Sequence, residues 1–524
     1  MQPKTRPQPI CLLSIALAFL GVAPIEAQTA LRIDPADRRQ TFEGWGTSLA
    51  WWAYSLGGWK ESSLGTLADQ VADTNTGLGM TIFRYNIGGG DQPGHAHMRV
   101  DAGVPGYKPT EAGPFAWRAD SLQLRTLKAL LARVKLPVLE AFSNSPPWWM
   151  TKSGCASGSV DGSNNLKDDY YDDFADYLTE VVGHLQDSLG LEFRTLEPFN
   201  EPNSNWWKAQ GRQEGCMFSR ATQPKLILEV AKSLKAKGLT GTGIAAADAN
   251  SIAEMAGNLQ AYDSASLAAL VQVNTHSYYG SDADRRNLKA LAARAGKRLW
   301  QSEAGPLNWP GGNQFAVGMW SASLIAKDLR EMGAEAWIDW QVAGGGLWGV
   351  IDYNASAQTS KLNKKGYAYA QFSRFIRPGS IILGGGDSNT VAAYRPASGT
   401  LTLVAINPRA ATADFAFDLS RFAVLPASAR AYRTSATEDA AAVGGIALAS
   451  GVLKGQLPAN SITTFVMAGT AVAILPPNPM GRTGRSIGAK SGRMATPAFV
   501  LPKASLFVDA AGRLAPPEWR PRGE

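Results

Sequence analysis

LEFRTLEPFNEPNSNWW, residues 191–207, runs from an apolar, strand-like segment into Asn200–Glu201–Pro202 and then at once into Trp206 and Trp207. A carboxylate at the mouth of a buried strand costs desolvation unless it is paired or used. Working outward, the same unit recurs: a short apolar run, a polar or aromatic loop, then a longer stretch with apolar residues every three or four positions. Strands are predicted near Gly44–Leu49 and at 79–87, 135–143, 193–200, 241–248, 270–277, 297–305 and 334–342. Helices are predicted between them at 122–134, 170–189, 222–238, 282–296 and 318–333. Eight strand–helix units in about 300 residues predict a (β/α)8 TIM barrel. No glycine fingerprint follows the first strand to favour an open doubly wound sheet.

The organisation changes near residue 375. From RPGSIILGG onward, short runs such as LTLVAINP and SITTFVMAG alternate apolar and polar residues without a long helix, which predicts an attached all-β side sandwich. The expected division is a signal peptide at 1–27, an extended segment at 28–43 contributing to the side β-domain, a barrel at 44–374, a β-sandwich at 375–470, and a basic, mobile tail at 471–524 with a short strand at ASLFV. Lys4 and Arg6 precede the apolar stretch ICLLSIALAFLGVA (10–23), and cleavage after Ala27 is expected. Fourteen apolar residues are too few to span a bilayer, so the expectation is a secreted or periplasmic protein with no membrane span, acting as a monomer.

Composition narrows the partners. The net charge is +7, but the tail carries eight Lys/Arg against three Asp/Glu, and the body between signal and tail is only +1. No basic surface for a nucleic-acid backbone is expected. Sixteen Trp against 18% charged residues is unusual; aromatic faces pack against the C–H faces of sugar rings, although they also fill cores. Cys11 leaves with the signal. Cys155 and Cys216 could form one disulfide or remain two free thiols. No zinc spacing and no HExxH occurs. Asp91, His95 and His97 in DQPGHAH could bind a metal, but their spacing is a weak signal and a polar loop accounts for them, so neither a metal nor a cofactor is expected. The GxSxG pattern is absent between the expected signal and the expected tail, and no phosphate-loop pattern occurs.

Barrel enzymes carry their chemistry where strands end. Glu201 follows the fourth strand and Glu303, in QSEAG, ends the seventh, 102 residues or three strand–helix units later. Two carboxylates facing each other across a barrel mouth can cleave a glycosidic bond, one holding a proton for the leaving oxygen and the other ionised. Asn200 can donate to a sugar hydroxyl. Arg84, in TIFRYN at the end of the second strand, could hold an ionised carboxylate through paired N–H donors. His276 and Tyr278, in NTHSYYG at the end of the sixth, could bond to that carboxylate or to substrate. Trp51, Trp52, Trp148, Trp149, Trp206, Trp207, Trp337 and Trp340 all fall in or beside expected mouths, and some must be core.

The ordered set FEGWGTSLAWWA, FRYNIGGG, FSNSPPWWM, FNEPNSNWW, THSYYG and QSEAG resembles glycoside hydrolase family 30, and within it the secreted endo-β-1,6-galactanases, over roughly residues 30–470. The resemblance implies a retaining barrel with a side β-sandwich, Glu201 as acid/base and Glu303 as nucleophile. It also implies substrate contacts from Asn200, an arginine (Arg84) and an aromatic (Tyr278) near the nucleophile, and mouth aromatics at Trp148 and Trp337. Trp52 and Trp207 join them as candidate stacking surfaces. The implied substrate is a β-linked galactan, such as the side chains of arabinogalactan, with no cofactor. Exo-acting β-galactosidase, β-1,6-glucanase and xylanase activities are the alternatives within the family, and a non-catalytic carbohydrate-binding protein is the alternative outside it.

Overall fold

The computed structural model describes residues 30–100, 102–307 and 312–472. The expected export signal and all but the first two residues of the expected tail, with its strand at ASLFV, lie outside the described residues.

The chain begins in an extended strand, β1 (Leu31–Phe42), and then enters the barrel. Eight strands follow: β2 (Gly44–Ser48), β3 (Ile82–Asn86), β4 (Val138–Phe142), β5 (Phe193–Glu197), β6 (Gly243–Ser251), β7 (Leu270–Tyr279), β8 (Arg298–Glu303) and β9 (Ala336–Asp339). Each pairs in parallel with the next, and β9 returns to β2, closing the barrel. A parallel sheet covered by helices outside and filled by side chains within is buried on both faces. That is why β2, β3 and β9 are buried at every position.

Helices cover the outside. Tyr171–Leu189 buries Phe174, Leu178, Val181, Val182 and Leu185 along one stripe and ends where Gly190 takes the left-handed cap (φ 66°), donating to the carbonyls of Leu185 and Gln186. Asp282–Ala295 starts in a capping box between Ser281 and Asp284. Gln314–Lys327 runs on into a π-turn, Asp328–Met332.

Strand parity sorts the barrel interior. Ile82, Trp300, Ala336 and Ile338 form an apolar plug inside the barrel. Two residues further along their strands, the inward positions turn polar: Arg84 on β3 and Ser302 on β8, with Glu140 in register beside Arg84 on β4. Intervening residues such as Phe83, Tyr85, Leu139 and Trp337 join the core against the helices. The interior is therefore oil at one level and charge at the next, towards the carboxyl ends of the strands.

A hairpin, β10 (Ile351–Asn354) and β11 (Thr359–Leu362), precedes the helix Lys364–Ser373. The remaining strands are β12 (Ser380–Gly385), β13 (Thr390–Arg395), β14 (Thr400–Asn407), β15 (Ala413–Asp418), β16 (Ser428–Thr434), β17 (Ala441–Ala449), β18 (Val452–Leu457) and β19 (Ser461–Ala468). They form the side domain in the order β1-β12-β13-β14-β19-β16-β17-β18-β15, and β1 closes the ring by pairing with both β12 and β15. Its own core includes Leu401, Leu403, Phe415, Phe417 and Phe465. Trp45 of the barrel donates to the Ile376 carbonyl (2.6 Å), and Thr464 donates to the Gln371 carbonyl (2.7 Å), so the two parts share a hydrogen-bonded seam.

Arg285 and Asp328 make a buried ion pair at 2.8 Å, and Trp337 donates to the same carboxylate at 3.0 Å. Removing one partner of such a pair leaves a charge without compensation. Asp328→Ala should therefore lower stability by about 3–5 kcal/mol in denaturant unfolding, with the Arg285→Met/Asp328→Leu double variant losing much less. Equal losses in the two variants would contradict this account.

Candidate active site

Glu201 and Glu303 meet at the carboxyl end of the barrel. Pro198 terminates β5, and the following turn lifts Glu201 into a left-handed conformation (φ 47°), its amide donating to the Asp248 carbonyl at 2.8 Å. Asp248 is itself left-handed (φ 49°). Two non-glycine residues held in this region are a local strain concentrated at one place, a pattern typical of functional sites. Glu303 is the last residue of β8. A register irregularity between β7 and β8 sets Thr275 beside Gln301 but His276 beside Glu303, with Ser302 the extra residue on β8, which brings the imidazole level with that glutamate.

His276 stands between the two acids. Its Nδ1 is 3.2 Å from a Glu201 oxygen and 3.5 Å from a Glu303 oxygen, and carboxylate oxygens of the two glutamates lie within 4.8 Å of each other. Asn250 donates to Glu201 (2.6 Å), and the Tyr278 hydroxyl donates to Glu303 (2.8 Å). Burial raises Glu303 to about 7, with Glu201 adding to the rise and His276 opposing it. Burial alone would lower His276, but Glu303, Asp248 and Glu201 outweigh it and hold the ring at about 10, so it is an imidazolium at neutral pH. Burial and the neighbouring Glu303 push the Tyr278 hydroxyl well above its usual range, which keeps it a donor.

Beneath them lies a fully buried ionic layer. Arg84 donates to Glu140 (2.7 Å), to the Ser302 carbonyl (3.0 Å) and to Asp248. Glu140 also accepts from Thr195, Gln272 and Asn274. Burial works against the Asp248 charge, yet Arg84 and His276 bring its pKa below the ordinary value. Buried charge of this kind persists only when its donors and acceptors are matched.

A cavity of about 460 Å³ opens above the glutamates. Asn200 and Asn144 reach it, and the Oδ1 of each accepts no hydrogen bond from the described residues. Buried amide oxygens without partners are acceptors for a ligand or water. The aromatic lining comes from Trp51, Trp206, Trp207, Trp340 and Trp348 with Tyr278 and Tyr279. Trp206 is half exposed at the rim, whereas Trp207 is buried and donates to the Glu201 carbonyl (3.1 Å). Gly305 makes room for Trp348: a Cβ there would stand 2.2 Å from the indole ring.

Several sequence expectations are corrected. Arg84 spends its donors on Glu140, Asp248 and Ser302, and none reaches Glu303; it acts on that carboxylate only through charge. His276 is fully buried and touches the glutamates from behind, so it does not line the cavity for substrate. Trp337 lies between two inward residues of β9, so its side chain packs outward against Tyr369. Trp52 is core, its indole bonded to the Ser48 carbonyl, and Trp148 bonds to the Pro109 carbonyl away from the cavity. Of the two alternatives for Cys155 and Cys216, the structure has the buried free thiols, with Cys155 facing His95 and Cys216 the Met217 carbonyl. Sequence reasoning missed Asn144, Asp248, Asn250 and Trp348. Polar residues closing the apolar run AAADAN (245–250) were a readable signal for the middle two.

Paired carboxylates under an aromatic-lined cavity at the mouth of a (β/α)8 barrel define a glycoside hydrolase. The chain belongs to O-glycosyl hydrolase family 30, whose family model matches residues 28–343. It is 33% identical over 435 residues to an endo-beta-1,6-galactanase of Hypocrea rufa, covering 79% of this chain and 88% of that one. It is 27% identical to an exo-beta-1,6-galactobiohydrolase of Bifidobacterium longum, covering 62% of this chain and 28% of that larger one. The catalytic domain of the GH30 xylanase C from Talaromyces cellulolyticus superposes with a TM-score of 0.65 at 20% identity, covering 84% of this chain and all of that one, a likeness of fold.

The coupled acids set a pH limit. Glycosidic cleavage needs one proton on the pair, and with Glu303 raised to about 7 that proton leaves as pH rises through neutrality. kcat/KM measured from pH 4 to 9 should therefore fall about tenfold per pH unit above about 7. A rate still rising at pH 9 would contradict this.

Proposed function

We propose that the protein is a retaining, endo-acting hydrolase of β-1,6-linked galactan, with Glu201 as acid/base and Glu303 as nucleophile. The observation that supports the mechanism is the approach of one oxygen of each carboxylate to within 4.8 Å of the other, with His276 Nδ1 in reach of both. Direct attack requires carboxyl groups about 5–5.5 Å apart, whereas placing a water between them requires about 6.5–9.5 Å. Glu303 attacks the anomeric carbon as Glu201 protonates the departing oxygen. Glu201 then takes a proton from water, which releases the sugar and restores both groups. Tyr278 and His276 hold Glu303 in place and favour its ionised form. Asn250 fixes the Glu201 carboxyl, and Asn200 and Asn144 offer hydrogen bonds to sugar hydroxyls.

The substrate reading is supported by the likeness to the Hypocrea rufa galactanase across most of both chains, and by an aromatic lining suited to successive sugar rings. The Bifidobacterium relative favours a second reading, exo action from a chain end. Residues 1–27 have the basic start and apolar stretch of an export signal, which supports placing the enzyme outside the cytoplasm, acting on polysaccharide.

Product profiling on β-1,6-galactan, beside β-1,3-galactan, β-1,6-glucan and xylan, tests both parts. The expected result is a ladder of short β-1,6-galacto-oligosaccharides. Monomer or dimer alone would favour the exo reading, and cleavage of only glucan or xylan would overturn the substrate. Glu303→Gln should abolish hydrolysis. Glu201→Gln should slow natural substrates by about 10²–10⁴-fold while sparing those with good leaving groups. Full activity in either variant would overturn the roles.

A further inference from the structure

Away from the glutamates, the loop after β3 folds Asp91, His95 and His97 against Cys155 from the loop after β4. His95 Nδ1 is 3.4 Å from Asp91 Oδ1 and 3.8 Å from Cys155 Sγ, and His97 Nε2 is 2.9 Å from Asp91 Oδ2. Donor atoms of His95, His97 and Cys155 all lie within 4.8 Å of one another. Bond lengths of about 2.0–2.3 Å to a tetrahedral zinc put its ligand atoms about 3.3–3.8 Å apart, which the 3.4 and 3.8 Å contacts of His95 Nδ1 with Asp91 and Cys155 match.

The tautomer of His97 points the same way. Its Nδ1 is 2.6 Å from the Gly211 carbonyl, so that nitrogen carries the proton and donates. Nε2 is buried, stands 2.9 Å from Asp91 Oδ2 and makes no hydrogen bond with the described residues. A backbone carbonyl holding the far nitrogen of an imidazole is also the usual support of a metal-ligating histidine.

We propose that Asp91, His95, His97 and Cys155 form a structural binding site for a zinc-like divalent cation. Two imidazoles, a thiolate and a carboxylate match the ligand preferences of zinc better than those of magnesium or calcium. On binding, the Cys155 thiol loses its proton to solvent. The site joins three loops at the rim of the cavity. Arg99, two residues beyond His97, bonds through its amide to the Arg212 carbonyl (2.9 Å) and lies over the Trp51 ring at 4.5 Å. The cation would thus fasten one wall of the cavity. The reading of DQPGHAH as a polar loop changes because Cys155, 58 positions after His97, is brought alongside only by the fold.

The test is titration of the full, tag-free chain, stripped with chelator, with Co²⁺ and then Zn²⁺. The expected result is one equivalent of Co²⁺ with the strong visible absorption of a tetrahedral site and a near-ultraviolet thiolate-to-cobalt band, both lost as Zn²⁺ displaces it. Cys155→Ser should remove the thiolate band, and His97→Ala should weaken Zn²⁺ binding by at least about 100-fold. Cys216→Ser should change neither. Absence of saturable binding, or a weak octahedral spectrum indifferent to Cys155→Ser, would overturn the proposal and leave a polar cluster. The wild-type spectrum decides even where a variant fails to fold.

Discussion

His276 is fully buried, with one ring nitrogen 3.2 Å from Glu201 and 3.5 Å from Glu303, and the rest of the site is arranged around that contact. Two carboxylates this close repel in a low-dielectric setting, and a neutral imidazole would not hold them. The charge that keeps the ring protonated comes partly from Asp248 below, and Asp248 is held ionised by Arg84. Arg84 is in turn balanced by Glu140, its register partner on the neighbouring strand. Charge alternates from the barrel interior upwards, so the glutamate pair rests on a chain of matched ions. Such a stack adds little net stability, because desolvation offsets most of the attraction, but it permits few other arrangements.

Much of the barrel was legible in the sequence because its signals are local. Each of the eight expected strands coincides with a strand of the barrel, and Tyr171–Leu189 and Asp282–Ala295 match the expected helices nearly end to end. The short helices Ile252–Ala261 and Ser264–Ala269 were not expected; they sit between two strands where the apolar run is too brief to show a helical period. The side domain was read as a sandwich from its alternation. That β1 closes its strands into a ring depends on pairing between residues some 350 positions apart, which no local pattern encodes.

The site divides along the same line. Glu201, Glu303, Asn200 and Tyr278 stand at or just beyond strand ends, a position that the sequence pattern makes legible. Trp51 and Trp52 differ in a way sequence does not carry: one lines the cavity and its neighbour is core. Trp337 shows the parity rule more sharply, since a shift of one residue along β9 would have placed it inside the barrel. Partners such as Asn250 and Asp248 required the left-handed turns that bring β6 against the Glu201 loop, and those turns are made by residues that rarely adopt them.

The central claim is that Glu303 stands close enough to attack the sugar directly. Proton NMR of the hemiacetal first released from a β-linked substrate, recorded before the anomers equilibrate, tests it most directly. The account predicts the β anomer, formed by two inversions through a glycosyl–enzyme. Initial release of the α anomer would mean that water attacks across the gap between the glutamates, and would contradict the geometry on which the mechanism rests.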